Sequence, residues 1–381
     1  MPKKAYPVVY VEEVAPNARA IAGVGTCTLG MVGLTQKGPA EACPITSFQE
    51  YCETFGNYLP NSYLAYAVEG FFINGGRRCF IKRIKTPGKT RLKAKHFIGQ
   101  RPANNQKQKP SGLAALRDID DINIIYLPDI HALDTTEADA LLAAIKEHCE
   151  QLHRFAILDI SQHRRHPDLV EKPIDSGYVT AYYPWLQIID QVNNRPIFIP
   201  PGGHVAGVFA RSDLNRGVHK APADEIIKGA LAPEQFLSTE QQATLTQQGV
   251  NPLRQFPGKG VMVWGARTCA SDPAWKYITV RRLVNYLEES IARGLNWAVF
   301  EPNDELLWHM VKSSITNFLY ESWRNGALMG ARPEEGYFVR CDRTTMTQSD
   351  MDNGRLICLV GVAVLKPAEF ITFRLQLPTG T

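Results

Sequence analysis

Several side-chain groupings in this chain carry the chemistry of a site. His163 and His166 stand three residues apart with Asp168 close behind, two imidazoles and a carboxylate that could surround a divalent metal. A zincin needs HExxH on a helix, so that both rings share one face and the glutamate serves as base. HxxH in a polar loop supplies neither, and solvated histidines are the plainer reading. Asp118, Asp120 and Asp121 offer hard oxygen ligands, but the glycine and late glutamate of an EF-hand loop are missing, and a solvated turn fits better. Gly23, Gly25 and Gly30 miss the GxGxxG spacing because the third falls two positions late, and GFFINGGR from Gly70 to Arg77 lacks a closing GK[ST]. Eight cysteines and nine histidines make accidental Cys–His pairs inevitable, and there is no GxSxG elbow. No catalytic residue, cofactor site or metal site is assigned.

Charge is the next signal. From Arg77 to Lys109 there are twelve Lys or Arg and no Asp or Glu, while the whole chain is only +4, so the remainder is net acidic. Such a stretch could meet phosphates, yet its exposed part offers only Phe97 for stacking on bases. The segment of about 85–111, rich in Lys, Gln, Asn, Gly and Pro, reads instead as a solvated or partner-facing insertion. The cysteines (27, 43, 52, 79, 149, 269, 341 and 358) form no CxxC, which points to buried reduced thiols rather than a zinc ribbon or a disulfide framework. The start, MPKKAYPVVYVEE, reaches Glu12 and Glu13 before any apolar core, so no secretory signal is read and synthesis in the cytoplasm is expected. The most apolar run, Ile357 to Leu365, is too short to cross a bilayer.

These residues need elements to position them. With 381 residues and 44% hydrophobic content the chain can bury one or two cores. The first twenty residues, with Val9, Tyr10 and Val11 in a strand-like run, are too thin for a core and read as an arm. Thr46 and Ser47 open a short helix, and a second spans about Tyr63 to Asn74 before Gly75 and Gly76. Strands are expected over Cys79–Ile84, Ile122–Leu127 and Phe155–Ile160, with a helix from Thr136 to Gln151 making a βαβ unit. Polar turns are expected after Pro200, Pro201, Gly202 and Gly203, and an Ala/Gln-rich portion leads to the strand VMVWG, taken as the entry to a second domain. Val280, Leu283, Val284, Leu287 and Ile291 trace a helical face. A strand at Trp297–Phe300 follows, then a long helix capped by Asn303 and carrying Leu307, Met310, Val311, Ile315, Phe318 and Leu319. Three strands end the chain: Tyr337–Cys341, Leu356–Val364 and Glu369–Leu377. In the last, Ile371, Phe373, Leu375 and Leu377 share one face.

Two long segments carry a resemblance. AYYPWLQIIDQVNNRPIFIPPGGHVAGVFAR runs from Ala181 to Arg211 and continues through RGVHKAP to Pro222. FPGKGVMVWGARTCASDPAWKYITVRRLVNYLEESIARGLNWAVFEPNDELLW begins at Phe256, and TMTQSDMDNGRLICLVG ends at Gly361. Together with VYVEEV, GVGTCTLGMVGLTQKGP and AVEGFFINGGRRCFIKRI nearer the start, they are similar to the contractile tail sheath family of phage tails, phage-tail-like bacteriocins and extracellular contractile injection systems. Residues 85–111 and parts of 129–175 depart from the family pattern, as does Val8, where a glycine is common. The length resembles the compact sheaths of tail-like particles more than the larger phage ones.

The resemblance implies a mixed α+β or α/β fold in two domains with extended terminal strands. The boundaries are an arm at 1–20, an outer α/β domain at 21–254, an inner sheath-core domain at 255–366 and a C-terminal strand arm at 367–381. The inner domain would be the C-terminal third together with the N-terminal arm. It implies a structural subunit, not an enzyme, that forms a helical homopolymer around an inner tube protein and meets baseplate and tail-terminator or cap proteins. No cofactor, membrane insertion or nucleic-acid partner is implied. The arms would add as strands to neighbours, and Lys312 and Arg324, on the helix of about 304–325, would face the tube. The particle would be assembled after cytoplasmic synthesis and could be released from the cell. The rival readings are a metal- or cysteine-dependent α/β hydrolase, tested by metal content and hydrolase screening, and a nucleic-acid-binding protein, tested by salt-dependent retention on DNA.

Overall fold

The computed structural model describes residues 18–84, 91–101, 109–162 and 167–367. The expected terminal strands, with Val9, Tyr10, Val11, Ile371, Phe373, Leu375 and Leu377, and the His163/His166 pair lie outside these residues. Among the described residues the chain forms two compact units, one of 24–287 with 365–367 and one of 18–23 with 288–364.

The larger unit begins β1 (Leu29–Leu34), β2 (Cys43–Ile45), α1 (Phe48–Phe55), α2 (Leu64–Ile73), β3 (Cys79–Ile84) and α3 (Ala94–Ile98). It continues through β4 (Ile124–Tyr126), α4 (Thr135–Gln151), β5 (Phe155–Asp159), β6 (Val179–Tyr183), β7 (Leu186–Asp190), β8 (Arg195–Ile199) and α5 (Gly202–Arg216). The short strands β9 (Glu225–Ile226) and β10 (Ala232–Pro233), then α6 (Thr239–Gln247), β11 (Val250–Phe256), β12 (Gly260–Val263) and α7 (Ile278–Gly294) complete it, with the division between units falling inside α7. The smaller unit adds α8 (Glu305–Arg324), α9 (Pro333–Gly336), β13 (Tyr337–Arg340), α10 (Gln348–Asp352) and β14 (Leu359–Val362).

Nine strands of the larger unit form one sheet in the order β2-β3-β1-β4-β5-β6-β11-β12-β9. Neighbours from β3 to β11 are parallel, and antiparallel partners close both margins. Strands covered on both faces read as unbroken apolar runs, as LGMVGL and FAILD do. Alternate side chains then serve two cores. Met31, Ile124 and Ile157 pack with Val68 and Phe71 of α2 and Phe209 of α5, while Val32, Ile125 and Leu158 pack with Phe97 of α3 and Leu141 and Ile145 of α4. The expected β4–α4–β5 crossover forms as parallel neighbours, and Asp134 caps α4 by accepting the Glu137 N–H at 3.0 Å.

The structure corrects several expectations. The polar turns expected after Pro200, Pro201, Gly202 and Gly203 are replaced by α5, which the two glycines open. Glycine weakens a helix by about 1 kcal/mol because its backbone loses more freedom, but here α2 comes too close for anything larger. A Cβ on Gly203 would stand 2.5 Å from the Ala67 backbone. The Ala/Gln-rich portion contains α6, started by a reciprocal cap between Ser238 and Gln241. The basic stretch is not a wholly solvated insertion, since α3 lies within it and buries Ala94 and Phe97 completely or nearly so. Trp297–Phe300 is no strand: Asn296–Ala298 is a short 3-10 turn, because four residues without flanking alternation specify no pairing. Asp304, not Asn303, caps α8 by accepting the Leu307 N–H, while Asn303 takes the Trp308 indole N–H at 2.7 Å. The expected boundary at 254/255 falls inside β11. VMVWG pairs with β11 and β9, so this segment extends the larger sheet.

The smaller unit is organised around α8, which buries Leu307, Val311, Ile315, Phe318 and Leu319 at the expected period. Ile21 packs against Gly294, and the Arg19 guanidinium sits 4.5 Å from the centre of the Trp297 ring.

Candidate assembly interface

The acidic turn suggested for metal chemistry is spent on ion pairs at the surface, Asp121 with Arg78 at 2.9 Å and Asp118 with Arg101 at 3.1 Å. Asp168 is exposed. Among the described residues no group of three or more His, Cys, Asp or Glu is arranged to hold a metal ion, and no helix is long and apolar enough to cross a membrane. Phe97, the one aromatic offered for base stacking, is inside the core.

The carboxyl edge of the parallel sheet holds polar groups that sequence reasoning missed. Asp129 is buried and accepts the Leu34 N–H at 2.9 Å, the Tyr63 N–H at 2.6 Å and the Ser62 hydroxyl at 2.8 Å. Burial raises its pKa, and these bonds to its charged form oppose the rise. Asp159 accepts the Tyr126 hydroxyl at 2.7 Å and the Gly202 N–H at 2.8 Å, with His131 Nε2 3.8 Å away. In an α/β sheet this edge is where ligands usually bind. Here both carboxylates are occupied in tying loop and helix starts to strand ends, an arrangement for holding a scaffold. The only trace in the sequence is an aspartate just beyond each apolar run.

The smaller unit presents a different kind of site. β13 and β14 pair antiparallel, from Tyr337↔Val362 to Arg340↔Leu359, and no further strand joins them among the described residues. Tyr337, Val339 and then Cys341 point to the side covered by α8, while Phe338 and Arg340 point outward. The Phe338 ring lies over Gly361 across the ladder, where a Cβ would stand 2.1 Å from it. Phe338 is 57% exposed and Leu359 48%. A two-stranded ladder with apolar groups in water is marginal by itself, and its free backbone N–H and C=O groups template another strand. YFVRC lacks the clean alternation that would have marked this half-covered strand in the sequence.

The two cations expected to face a tube are both on α8. Lys312 is exposed, and its charge reaches Cys341, Asp342 and Cys358. Arg324 is in the last turn, 2.5 Å from Glu321. They lie twelve positions apart on one helix and form no single cluster.

Comparison with known proteins adds the family. The chain matches the model of the phage tail sheath protein central domain over residues 106–269 and that of the phage tail sheath C-terminal domain over 270–378. It is 30% identical over 203 residues to the tail sheath protein of Vibrio phage KVP40, an alignment covering 52% of this chain and 28% of that one. It spans between 28% and 61% of the length of the first three curated relatives. Among solved structures, the anti-feeding prophage helical sheath in its contracted state is 30% identical with a TM-score of 0.79, over 98% of this chain and 99% of that one. The sheath complex of an extracellular contractile injection system, PVC, in its contracted state is 28% identical with a TM-score of 0.78, over 100% and 99%. With two adjoining sheath-domain matches and a full-length likeness to contractile sheaths, the chain belongs to the contractile tail sheath family.

Proposed function

We propose that this chain is the repeating subunit of a contractile sheath, which polymerises helically around an inner tube and shortens to drive it forward. The observation that carries the reading is the open β13–β14 ladder, in a chain whose two ends are rich in strand-forming residues. A strand lent by a neighbour would satisfy the ladder's free backbone groups, and alternate side chains would fix its register. VYVEEV at 9–14 and EFITFRLQL at 369–377 are the proposed donors. Because such a contact is head-to-tail and does not close, it propagates as a helix.

The smaller unit is the proposed inner domain, with Lys312 and Arg324 of α8 as tube contacts, and the larger unit is the proposed outer domain. Baseplate and tail-terminator or cap proteins are the proposed partners at the two ends. Contraction then needs no nucleotide: rigid subunits exchange one set of contacts for a better one, and the tube and baseplate hold the extended state as a kinetic trap. Synthesis in the cytoplasm followed by assembly into a phage tail or tail-like particle is the corresponding location.

Truncation tests the reading. Removing residues 1–14, or those after Pro367, should leave a folded soluble chain by circular dichroism and abolish tubes in sedimentation and negative-stain microscopy. Tubes of normal length from either truncation would mean that the ends pair within their own subunit.

A further inference from the structure

The end of the β13–β14 ladder carries a second feature. Its last registered pair is Arg340↔Leu359, so Cys341 and Cys358 are the next residues to oppose each other if that register is carried one step further. Directly opposed residues of an antiparallel pair have Cα atoms about 4.5–5.5 Å apart, inside the range of about 4.4–6.8 Å that a disulfide spans. The two thiols share a hydrogen bond, on the side of the ladder covered by α8. We infer that Cys341 and Cys358 form a redox-sensitive pair that closes into a cross-strand disulfide.

The surroundings divide the labour between the two sulfurs. The hydrogen bond from Cys358 favours the thiolate of Cys341, and Lys312 adds positive charge nearby, so Cys341 titrates below the ordinary thiol range. Cys358, as the donor and beside that thiolate, is pushed far up. By contrast, Cys79, Cys149 and Cys269 are completely buried, and burial raises each of their pKa values. The oxidant is a small-molecule disulfide of the glutathione class. The Cys341 thiolate attacks one of its sulfurs, making a mixed disulfide and expelling one small thiolate. Cys358 then loses its proton and attacks the Cys341 sulfur, forming the protein disulfide and expelling the second thiolate. Two protein thiols are oxidised, one small disulfide is reduced to two thiols, and the two protons pass to them.

In a reducing cytoplasm the pair stays open, and outside the cell it closes. Closure would strap the ladder to which arms are proposed to add. That consequence rests on the strand-addition reading, whereas the chemistry does not.

The test uses the full-length chain, reduced and then exposed to oxidised glutathione at pH 8, alkylated, and mapped by mass spectrometry without reduction. The expected result is a linked peptide joining 341 to 358, loss of two free thiols, and recovery of both with dithiothreitol. Cys358→Ser should instead trap a glutathione adduct on Cys341. Full alkylation of both cysteines in the wild-type chain, or linkage of either to another cysteine, overturns the inference. Failure of the arm truncations to block tubes would sink the strand-addition reading and leave this peptide map untouched.

Discussion

Arg282 keeps a charge inside the larger unit because both terminal nitrogens of its guanidinium are partnered. Asp213 lies 2.6 Å from Nη2, the Thr26 carbonyl accepts at 3.0 Å, and the Phe209 ring lies 4.9 Å from the guanidinium carbon. His148 solves the same problem by staying neutral. Its Nε2 lies 3.0 Å from Arg154 Nη1, which can only donate, so that ring nitrogen accepts. Burial, with help from the Arg154 charge, pushes its pKa down to about 3. The folded value is below the ordinary unfolded value of about 6.5, so the unfolded chain binds the extra proton, and the stability His148 contributes above that pH is lost as pH falls. Lowering pH from 7 to 5 should therefore cost roughly 2 kcal/mol from this residue. His148→Gln, which retains an acceptor without titrating, should flatten that part of the slope in urea unfolding. Equal slopes for variant and wild type would place the titration elsewhere.

At the scale of elements, α3 shows how a polar stretch can still hold structure. The strongly basic segment around it suggested an excursion into solvent, yet five residues, AKHFI, fold back to put Phe97 among Leu113, Leu116 and Leu141. The Ala94 N–H donates to Glu137 at 2.6 Å, which anchors the start of the helix to α4. Ser111 N–H donates to the Gln100 carbonyl at 3.1 Å, which holds these two residues together beside α3. Phe97→Ala should cost about 3–5 kcal/mol, the usual loss for emptying a buried aromatic site. Thermal unfolding unchanged within a degree would show that α3 is dispensable to the core.

At the scale of the whole molecule, a sheath must hold a tube without gripping it permanently, which favours contacts through exposed charge over large apolar surfaces. Lys312, the tube contact proposed above, is an exposed charge of that kind on α8. Lys312→Glu should leave thermal unfolding within about 1 °C, since an exposed helical position contributes little to stability, and should lower co-sedimentation with tube several-fold at low salt. Unchanged co-sedimentation would move the tube contact away from this helix.

The apolar runs of the parallel strands, the period of α8 and the βαβ order were legible in the amino-acid sequence, because buried strands and amphipathic helices impose repeats on adjacent residues. The family was legible too, in long stretches whose order and spacing match sheath proteins. What the sequence left open depended on contacts between distant residues. Where polar turns are expected after Gly203 the chain is helical, and the helix opens on glycines because the Ala67 backbone leaves no room for a Cβ. Phe97 in a basic run is core because α4 covers it. The strand VMVWG, met first as the entry to a second domain, belongs to the larger sheet because β11 and β9 pair with it. Cys341 and Cys358, two of eight scattered cysteines with no motif spacing, become partners only through the register of β13 and β14. Local repetition can be read from neighbours in the chain; proximity across the fold is decided by which surfaces must be buried together.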